Sequence, residues 1–340
     1  MTQLLVAGGG PIGLAAAIEA RLAGLDVAVI EQRHGTIDKA CGEGLMPGAL
    51  RALNRLGVDP VGRDIRGISY RRDGHRADHP FAHGTARGVR RPVLHDALSR
   101  RADELGVERI EGKVGLLSQD DESVTVVLRD EAVRANWLIG CDGLHSTVRD
   151  LVGLASPPRG RRRFGLRRHF AIEPWSDFVE VHWTKDAEVY VTPVGDHNVG
   201  IAVLGAPGTD YDRTVSTALA DRIDGAPHSS DLRGAGPLRQ RTRARTAGRV
   251  LLAGDASGYV DALTGEGIRV GLAQVAAAVR CIVAGDPQAY EREWRTATRD
   301  FRMLTSGLVA LGASPARRAI VPLADSLPRT YGAIVERLAR

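Results

Sequence analysis

The chain has 340 residues, of which 43% are apolar and 26% charged, enough to bury a sizeable core in one large domain or two interleaved ones. No stretch approaches the roughly 20 uncharged apolar residues of a membrane span, and the N-terminus lacks the basic leader of a signal peptide, so the cytoplasm is the default location. The net charge of +5 comes from arginine runs at Arg159 to Arg168 and Arg239 to Arg249; without a nucleic-acid motif and with few aromatics they read as solvated faces or as attraction for an anionic cofactor or substrate, not as a nucleic-acid surface.

Residues 3 to 7 (QLLVA) read as a short buried strand stopped by Gly8-Gly9-Gly10. An alanine-rich helix follows from about Pro11 to Leu22, ended by Gly24, and residues 26 to 30 form a second buried strand ending at Glu31. Strand, glycine turn, helix and strand make a βαβ unit, which implies a parallel sheet. Residues 47 to 57 and 92 to 105 are predicted helical, the latter with proline in its first turn. Alternating strands fill 108 to 140 and finish in the buried WLIG. From about 164 to 204 the alternation of FVEVHW, AEVYVTP and NVGIAVLG predicts an antiparallel sheet inserted into the α/β frame. RVLLA (249 to 253) returns to a buried strand, a helix runs from about Gly267 to Ala284, and the remainder is mostly helical.

Three motifs carry chemistry. Gly8-x-Gly10-x-x-Gly13 follows a strand and opens a helix: Gly8 permits the tight turn, Gly10 lets backbone approach a pyrophosphate, and Gly13 lets the helix pack closely. The helix start offers free N–H groups to phosphates, and Glu31, about 20 residues on, can accept from ribose hydroxyls. The alternative is a glycine turn serving only packing, with Glu31 on the surface. The second motif, Cys141-Asp142-Gly143-Leu144-His145-Ser146-Thr147-Val148-Arg149, follows WLIG directly; alone, its Asp-Gly is a turn. The third, Gly254-Asp255-Ala256 followed by Thr264-Gly265-Glu266-Gly267-Ile268, comes directly after RVLLA. An aspartate there can bind sugar hydroxyls, and the helix start beyond favours negative charge such as the N1–C2=O edge of a reduced flavin.

With the three in this order, residues 3 to 285 resemble the flavoprotein aromatic hydroxylase superfamily of the p-hydroxybenzoate hydroxylase type, which also includes the geranylgeranyl reductases. The resemblance implies a Rossmann-like FAD-binding domain made of 1–70, 90–160 and 245–285. It also implies an inserted antiparallel substrate domain of 71–89 and 161–244, and C-terminal helices over 286–340 that cap the substrate side or form a dimer contact. It implies that Gly8, Gly10, Pro11, Ile12, Gly13, Glu31, Gln32 and Arg33 hold the AMP half of FAD. Arg91 would contact the central portion, Asp142 and Gly143 the pyrophosphate, and Gly254 and Asp255 the ribityl chain. Gly265, Glu266, Gly267 and Ile268 would line the flavin ring. Cys41-Gly42-Glu43-Gly44 is similar to a cysteine-glycine segment near the flavin in the reductases, although Cys41 also reads as a small buried residue.

The chain departs from the hydroxylase pattern at Gly258, Ala262 and Arg269, where those enzymes carry His, Pro and Asn. It lacks a second GxGxxG and a WxWxIP, and its three cysteines (Cys41, Cys141, Cys281) form no CxxC, which sets aside dithiol reductases, a halogenase and a zinc site. On the inserted sheet, Arg168, His169, His182, Trp183 and Tyr190 are candidates to face substrate, each taken singly more readily structural or exposed. His182 and Trp183 fall on opposite faces by strand alternation. The resemblance implies a monooxygenase that uses NADPH or NADH and dioxygen to hydroxylate a small aromatic or conjugated substrate through a flavin C4a-hydroperoxide, with no metal. The alternatives are a reductase or dehydrogenase of a carbon–carbon double bond, and a non-catalytic flavin carrier. The protein is expected to act as a monomer or homodimer.

Overall fold

Leu4, Leu5, Val6 and Ala7 are all buried, so their strand must be covered on both faces, as in a parallel sheet. The computed structural model, which describes residues 2–129, 131–157 and 160–340, places Thr2–Ala7 between two parallel neighbours, Val27–Glu31 and Glu131–Gly140. Glu108–Glu111 and Val250–Leu252 extend the parallel sheet at either side. Helices Pro11–Leu22, Arg91–Glu104 and Gly267–Val283 cover one face through Leu14, Leu98 and Val275, which pack on Leu4, Val6 and Val29. The hairpin of Val114–Gln119 and Val124–Leu128 closes the other face over Leu5, Ala28 and Ile30. This is the α/β FAD-binding fold expected from the sequence. Arg159, which opens the first arginine run, lies outside the described residues.

The inserted sheet has seven strands, ordered Arg233–Ala235, Phe164–Phe170, Asn198–Gly205, Glu188–Gly195, Phe178–Trp183, Gly67–Arg72 and His75–Pro80. All pairs are antiparallel except Phe178–Trp183 with Gly67–Arg72, which run parallel. The strand Gly67–Arg72 crosses position 70, where the sequence division ended the first FAD-binding segment. Alternation gives this sheet two apolar faces. Val189, Val191, Ile201 and Val203 lie under the helix Tyr211–Ile223, which the sequence reading left unassigned. Val179, Val181, Trp183, Tyr190 and Leu204 face the other way, toward Ile320 and Val321 of the C-terminal helices. A further small sheet of Gly44–Leu45, Ala86–Gly88 and Arg63–Ile65 was also not anticipated. It sits where the two large sheets meet: a Cβ on Gly88 would lie 1.7 Å from the Pro193 carbonyl oxygen.

The C-terminal helices Tyr290–Gly312, Ile320–Ser326 and Pro328–Ala339 are fastened to the inserted sheet by Arg317. Its Nη1 donates to Glu188 Oε1 at 2.5 Å, its Nε to the Thr184 carbonyl at 2.9 Å and its Nη2 to the Ala187 carbonyl at 2.6 Å. Its guanidinium also lies 5.2 Å from the Trp183 ring centre. Arg163 holds the other oxygen of Glu188 and reaches Asp261 at 3.6 Å. Removing one partner of such a buried network leaves charge uncompensated, so Arg317→Ala should destabilise the fold by about 3 kcal/mol, measured by chemical denaturation. Arg317→Lys should recover little, because a lysine cannot reproduce the planar fork.

Candidate functional site

The site begins at the glycine turn. Gly8 has φ +105° and its N–H donates to the Ile30 carbonyl at 2.8 Å. A Cβ on Gly13 would lie 1.8 Å from the Gly8 carbonyl oxygen, so only glycine lets helix Pro11–Leu22 start against the turn. No side chain caps that helix, and its first N–H groups open onto a cavity of about 1120 Å³. Single small-molecule sites span roughly 300–1,000 Å³, so this volume suits a cofactor together with a substrate.

Every cofactor-side residue anticipated from sequence lines this cavity except Gly13, which sits inside the turn. Glu31 accepts from the Gly9 N–H at 2.8 Å through Oε2, and from Arg33 Nε at 2.9 Å through Oε1. Burial pushes its carboxyl up, but Arg33 and the Gly9 amide outweigh that and hold it below the usual carboxylate range. Arg91 is buried with Nη1 lacking a protein partner. Asp142 caps Val148 through Oδ2 at 3.0 Å while its Oδ1 is unpartnered. Burial raises the Asp255 carboxyl, with Lys39 and Arg91 acting in the opposite direction. Lys39 was not anticipated from sequence; it lies in a segment without regular structure, makes no ion pair among the described residues, and lines the cavity near Arg33, Arg91 and Asp255.

Around the third motif, Gly254 and Gly265 have φ of +61° and +70°. The Gly254 N–H donates to Gln274 Oε1 at 2.6 Å, a contact no motif announces. Helix Gly267–Val283 starts at the cavity without a side-chain cap. Beside it, burial pushes the Glu266 carboxyl up to about 7 against the pull of Arg269. Burial likewise pushes Asp261 up to about 6, with Arg163 lowering it and Glu188 raising it.

These features fit FAD. Uncapped helix starts and the cations Arg33, Lys39 and Arg91 suit a pyrophosphate; the carboxylates Glu31, Asp142 and Asp255 suit sugar and ribityl hydroxyls; the unpartnered atoms of Arg91 and Asp142 are buried polar groups in want of a ligand.

The substrate candidates divide differently. Tyr190 lines the cavity, and its hydroxyl donates to the Leu263 carbonyl at 2.6 Å. The other four do not line it. Arg168 pairs with Asp212 at 2.8 Å in a separate outer crevice, because alternation turns it away from Arg167 and His169. His169 is wholly buried, with Nε2 2.5 Å from Glu43 Oε2 and Nδ1 2.7 Å from Ser230 Oγ. His182 pairs with Glu180 at 2.9 Å. Trp183 is buried against Tyr70 and Arg317. Arg168 and His169 therefore do not meet on one face of the sheet. Arg167 and His169 instead clamp the segment that carries Lys39 to Glu43: Arg167 Nη2 bonds Asp38 at 2.5 Å and the Lys39 carbonyl at 3.1 Å. Glu43, at φ +59°, also accepts from the Arg91 N–H at 2.8 Å.

The family profile described as an FAD binding domain matches residues 1–285. Rifampicin monooxygenase of Streptomyces venezuelae is 32% identical over 80% of this chain and 62% of its own length. Menaquinone reductase of Mycolicibacterium smegmatis is 28% identical over 96% of this chain and 85% of its own. The chain thus spans about 62% of the first of these relatives. The crystal structure of p-nitrophenol 4-monooxygenase from Pseudomonas putida superposes with a TM-score of 0.84 at 18% identity, covering 100% of this chain and 98% of that one. That likeness concerns the fold. No helix among the described residues is long and apolar enough to cross a membrane.

Two expectations follow. Glu31→Ala and Asp255→Ala should each weaken FAD binding by about 1.5–3 kcal/mol, roughly ten- to a hundredfold in Kd, read by flavin fluorescence on titration. Glu266 and Asp261 hold their protons more tightly folded than unfolded, so the folded state carries the extra protons and stability falls as pH rises between the unfolded and folded pKa values. The Tm of flavin-free protein should therefore drop between about pH 4 and about 7, and Glu266→Gln should flatten that slope.

Proposed function

The chain belongs to the FAD binding domain family, and on that premise we propose that it is an FAD-dependent monooxygenase. In this reading it takes electrons from NADPH or NADH and uses dioxygen to hydroxylate a small aromatic or conjugated molecule. The observation that carries the proposal is the continuity of one cavity, from the glycine turn at Gly8 to the apolar wall of Val179, Val181, Tyr190 and Leu204. A two-part ligand laid along it would have its phosphates at the glycine turn and its reactive ring toward the apolar wall.

When bound, FAD supplies hydride acceptance and the activation of dioxygen, which side chains cannot provide. The protein's own residues do the rest. The N–H groups at the start of helix Pro11–Leu22, with Arg33, Lys39 and Arg91, neutralise the pyrophosphate, and Glu31 and Asp255 orient the sugar and ribityl hydroxyls. The uncapped start of Gly267–Val283 would favour the negative charge that the reduced ring carries at its edge. The apolar sheet face and the C-terminal helices exclude water from the reacting centre.

A reductase of a carbon–carbon double bond is the second reading. It is favoured by a menaquinone reductase whose match covers 96% of this chain and 85% of that protein, whereas the rifampicin monooxygenase match spans only 62% of its own length. The two are separated with FAD-loaded protein reduced anaerobically by NADPH or NADH. Oxygen is then admitted in the presence of neutral aromatic and quinonoid compounds. Stoichiometric oxygen uptake with an oxygenated product is the expected result. Substrate turnover without oxygen uptake would replace it with the reductase.

A further inference from the structure

The far half of the cavity differs from the cofactor half in chemistry. The inserted sheet contributes Ile68, Tyr70, Val179, Val181, Tyr190 and Leu204 to it, together with Thr192, Ala202, Gly234 and Ala235, and the C-terminal helices contribute apolar faces. None of these wall residues carries a charge at neutral pH. Their hydroxyls are largely spoken for: Tyr190 donates to Leu263, Tyr331 to the Ile68 carbonyl at 3.2 Å, and Thr192 to the Gly42 carbonyl at 2.9 Å. Tyr70, packed edge-on against Trp183 at 5.6 Å, has no hydrogen-bond partner among the described residues. Burying an unpaired charge on such a wall is prohibitive, while one neutral polar group can be met.

The cavity does not end at the ring site. Along Tyr290–Gly312, Leu304, Gly307, Leu308 and Leu311 recur at helical spacing on its wall, and Ile320 with Leu323 and Ile334 with Leu338 do the same on the two helices beyond. Of the eleven exposed large apolar side chains among the described residues, five (Met303, Leu311, Leu323, Leu327 and Ile334, each 40% to 62% exposed) belong to this one wall. Scattered exposed apolar residues need no account, but a contiguous group of them marks a binding surface.

We propose that the substrate is a neutral amphiphile whose ring sits under the inserted sheet, with a polar group toward the Tyr70 hydroxyl. Its apolar arm leaves between the three C-terminal helices, past Gly307. The inference rests on the oxidoreductase reading above and narrows its substrate class: the arm covers the exposed apolar wall because that wall is continuous with the place where the ring reacts. Gly307 is the point at which the passage can be blocked. It lines the passage, and a Cβ there would meet nothing within 4 Å, so a large side chain can enter the passage without disturbing the helix.

The test uses FAD-loaded protein and 1,4-naphthoquinones bearing no side chain or a butyl, octyl or dodecyl chain. Binding is read by quenching of tryptophan fluorescence, with no turnover scored. Affinity should rise about tenfold for every two to four methylenes until the arm reaches solvent. Gly307→Trp should remove at least about tenfold of the gain for the octyl and dodecyl probes while changing the unsubstituted ring by less than about twofold. Gly307→Ala should bind like the parent, and Tyr70→Phe should weaken all the probes by about three- to tenfold. A ring-carboxylated naphthoquinone should bind far more weakly than the neutral ring. Affinity independent of chain length, equal loss of short and long probes in Gly307→Trp, or preference for the carboxylated ring would overturn the proposal. Failure to retain FAD would instead strike the function reading, so the two failures are distinguishable.

Discussion

Helix Pro11–Leu22 can begin where it does only because Gly13 has no side chain. Its backbone stands so close to the Gly8 carbonyl that even one methyl group would overlap it. That approach fixes the direction in which the helix's first N–H groups point, and therefore which end of the cavity is electropositive. The next side chain, Ile12, transmits the constraint: it fills the space left by Gly254 and Gly271, so the first and last segments of the FAD-binding domain lock on the same turn. Glu31 is held by the Gly9 amide. The cofactor end of the site is in this sense one packing decision followed through several elements.

The substrate end depends on a different kind of contact. Two buried charge clusters tie together segments that are distant in the chain. One joins Arg163, Glu188, Asp261 and Arg317, and so connects the inserted sheet, the loop before helix Gly267–Val283 and the C-terminal helices. The other joins Asp38, Glu43, Arg167 and His169 and fastens the irregular segment of Lys39 to the inserted sheet. Burying charge is a poor way to gain stability, because desolvation offsets most of the attraction. Here the clusters set geometry: each carboxylate has few alternative partners, so the elements they join meet in one arrangement.

The resulting cavity is divided by charge. Arginines and a lysine gather at one end around Asp255, and the other end has a wall without charge. Lys39 stands out in a chain where arginine predominates; a flexible ammonium can follow a phosphate that a rigid guanidinium fork would have to meet in a set orientation. The apolar end needs no such adaptability, since burial there is non-directional. On the proposed reading, specificity at that end comes from shape, from the Tyr70 hydroxyl and from the passage beside Gly307.

Much of this was legible from the sequence because it is local. Gly8, Gly10 and Gly13 act within one turn, the buried strands announce themselves by uninterrupted apolar runs, and Glu31, Asp142 and Asp255 each follow such a strand at a fixed offset. These signals are local, although the sheet and the cavity lining they announce are assembled from distant segments. Strand alternation likewise predicted that His182 and Trp183 would point apart, as they do. What alternation does not say is which face meets the cavity, because both faces of the inserted sheet are apolar and the choice is made by what packs on each. Arg168 and His169 turned out to be a surface pair and a buried clamp for that reason. Lys39, Glu43 and the wall of the three C-terminal helices carry no motif, since their roles arise only when segments distant in the chain come into contact; Gln274 reaches back only 20 residues to Gly254, but no motif marks it either. The sequence by itself determined the glycine turn and the uncapped helix start that are expected to receive a dinucleotide's phosphates; only the tertiary structure decided what lies at the other end of the cavity, because that surface is assembled from side chains whose neighbours are set by packing rather than by spacing.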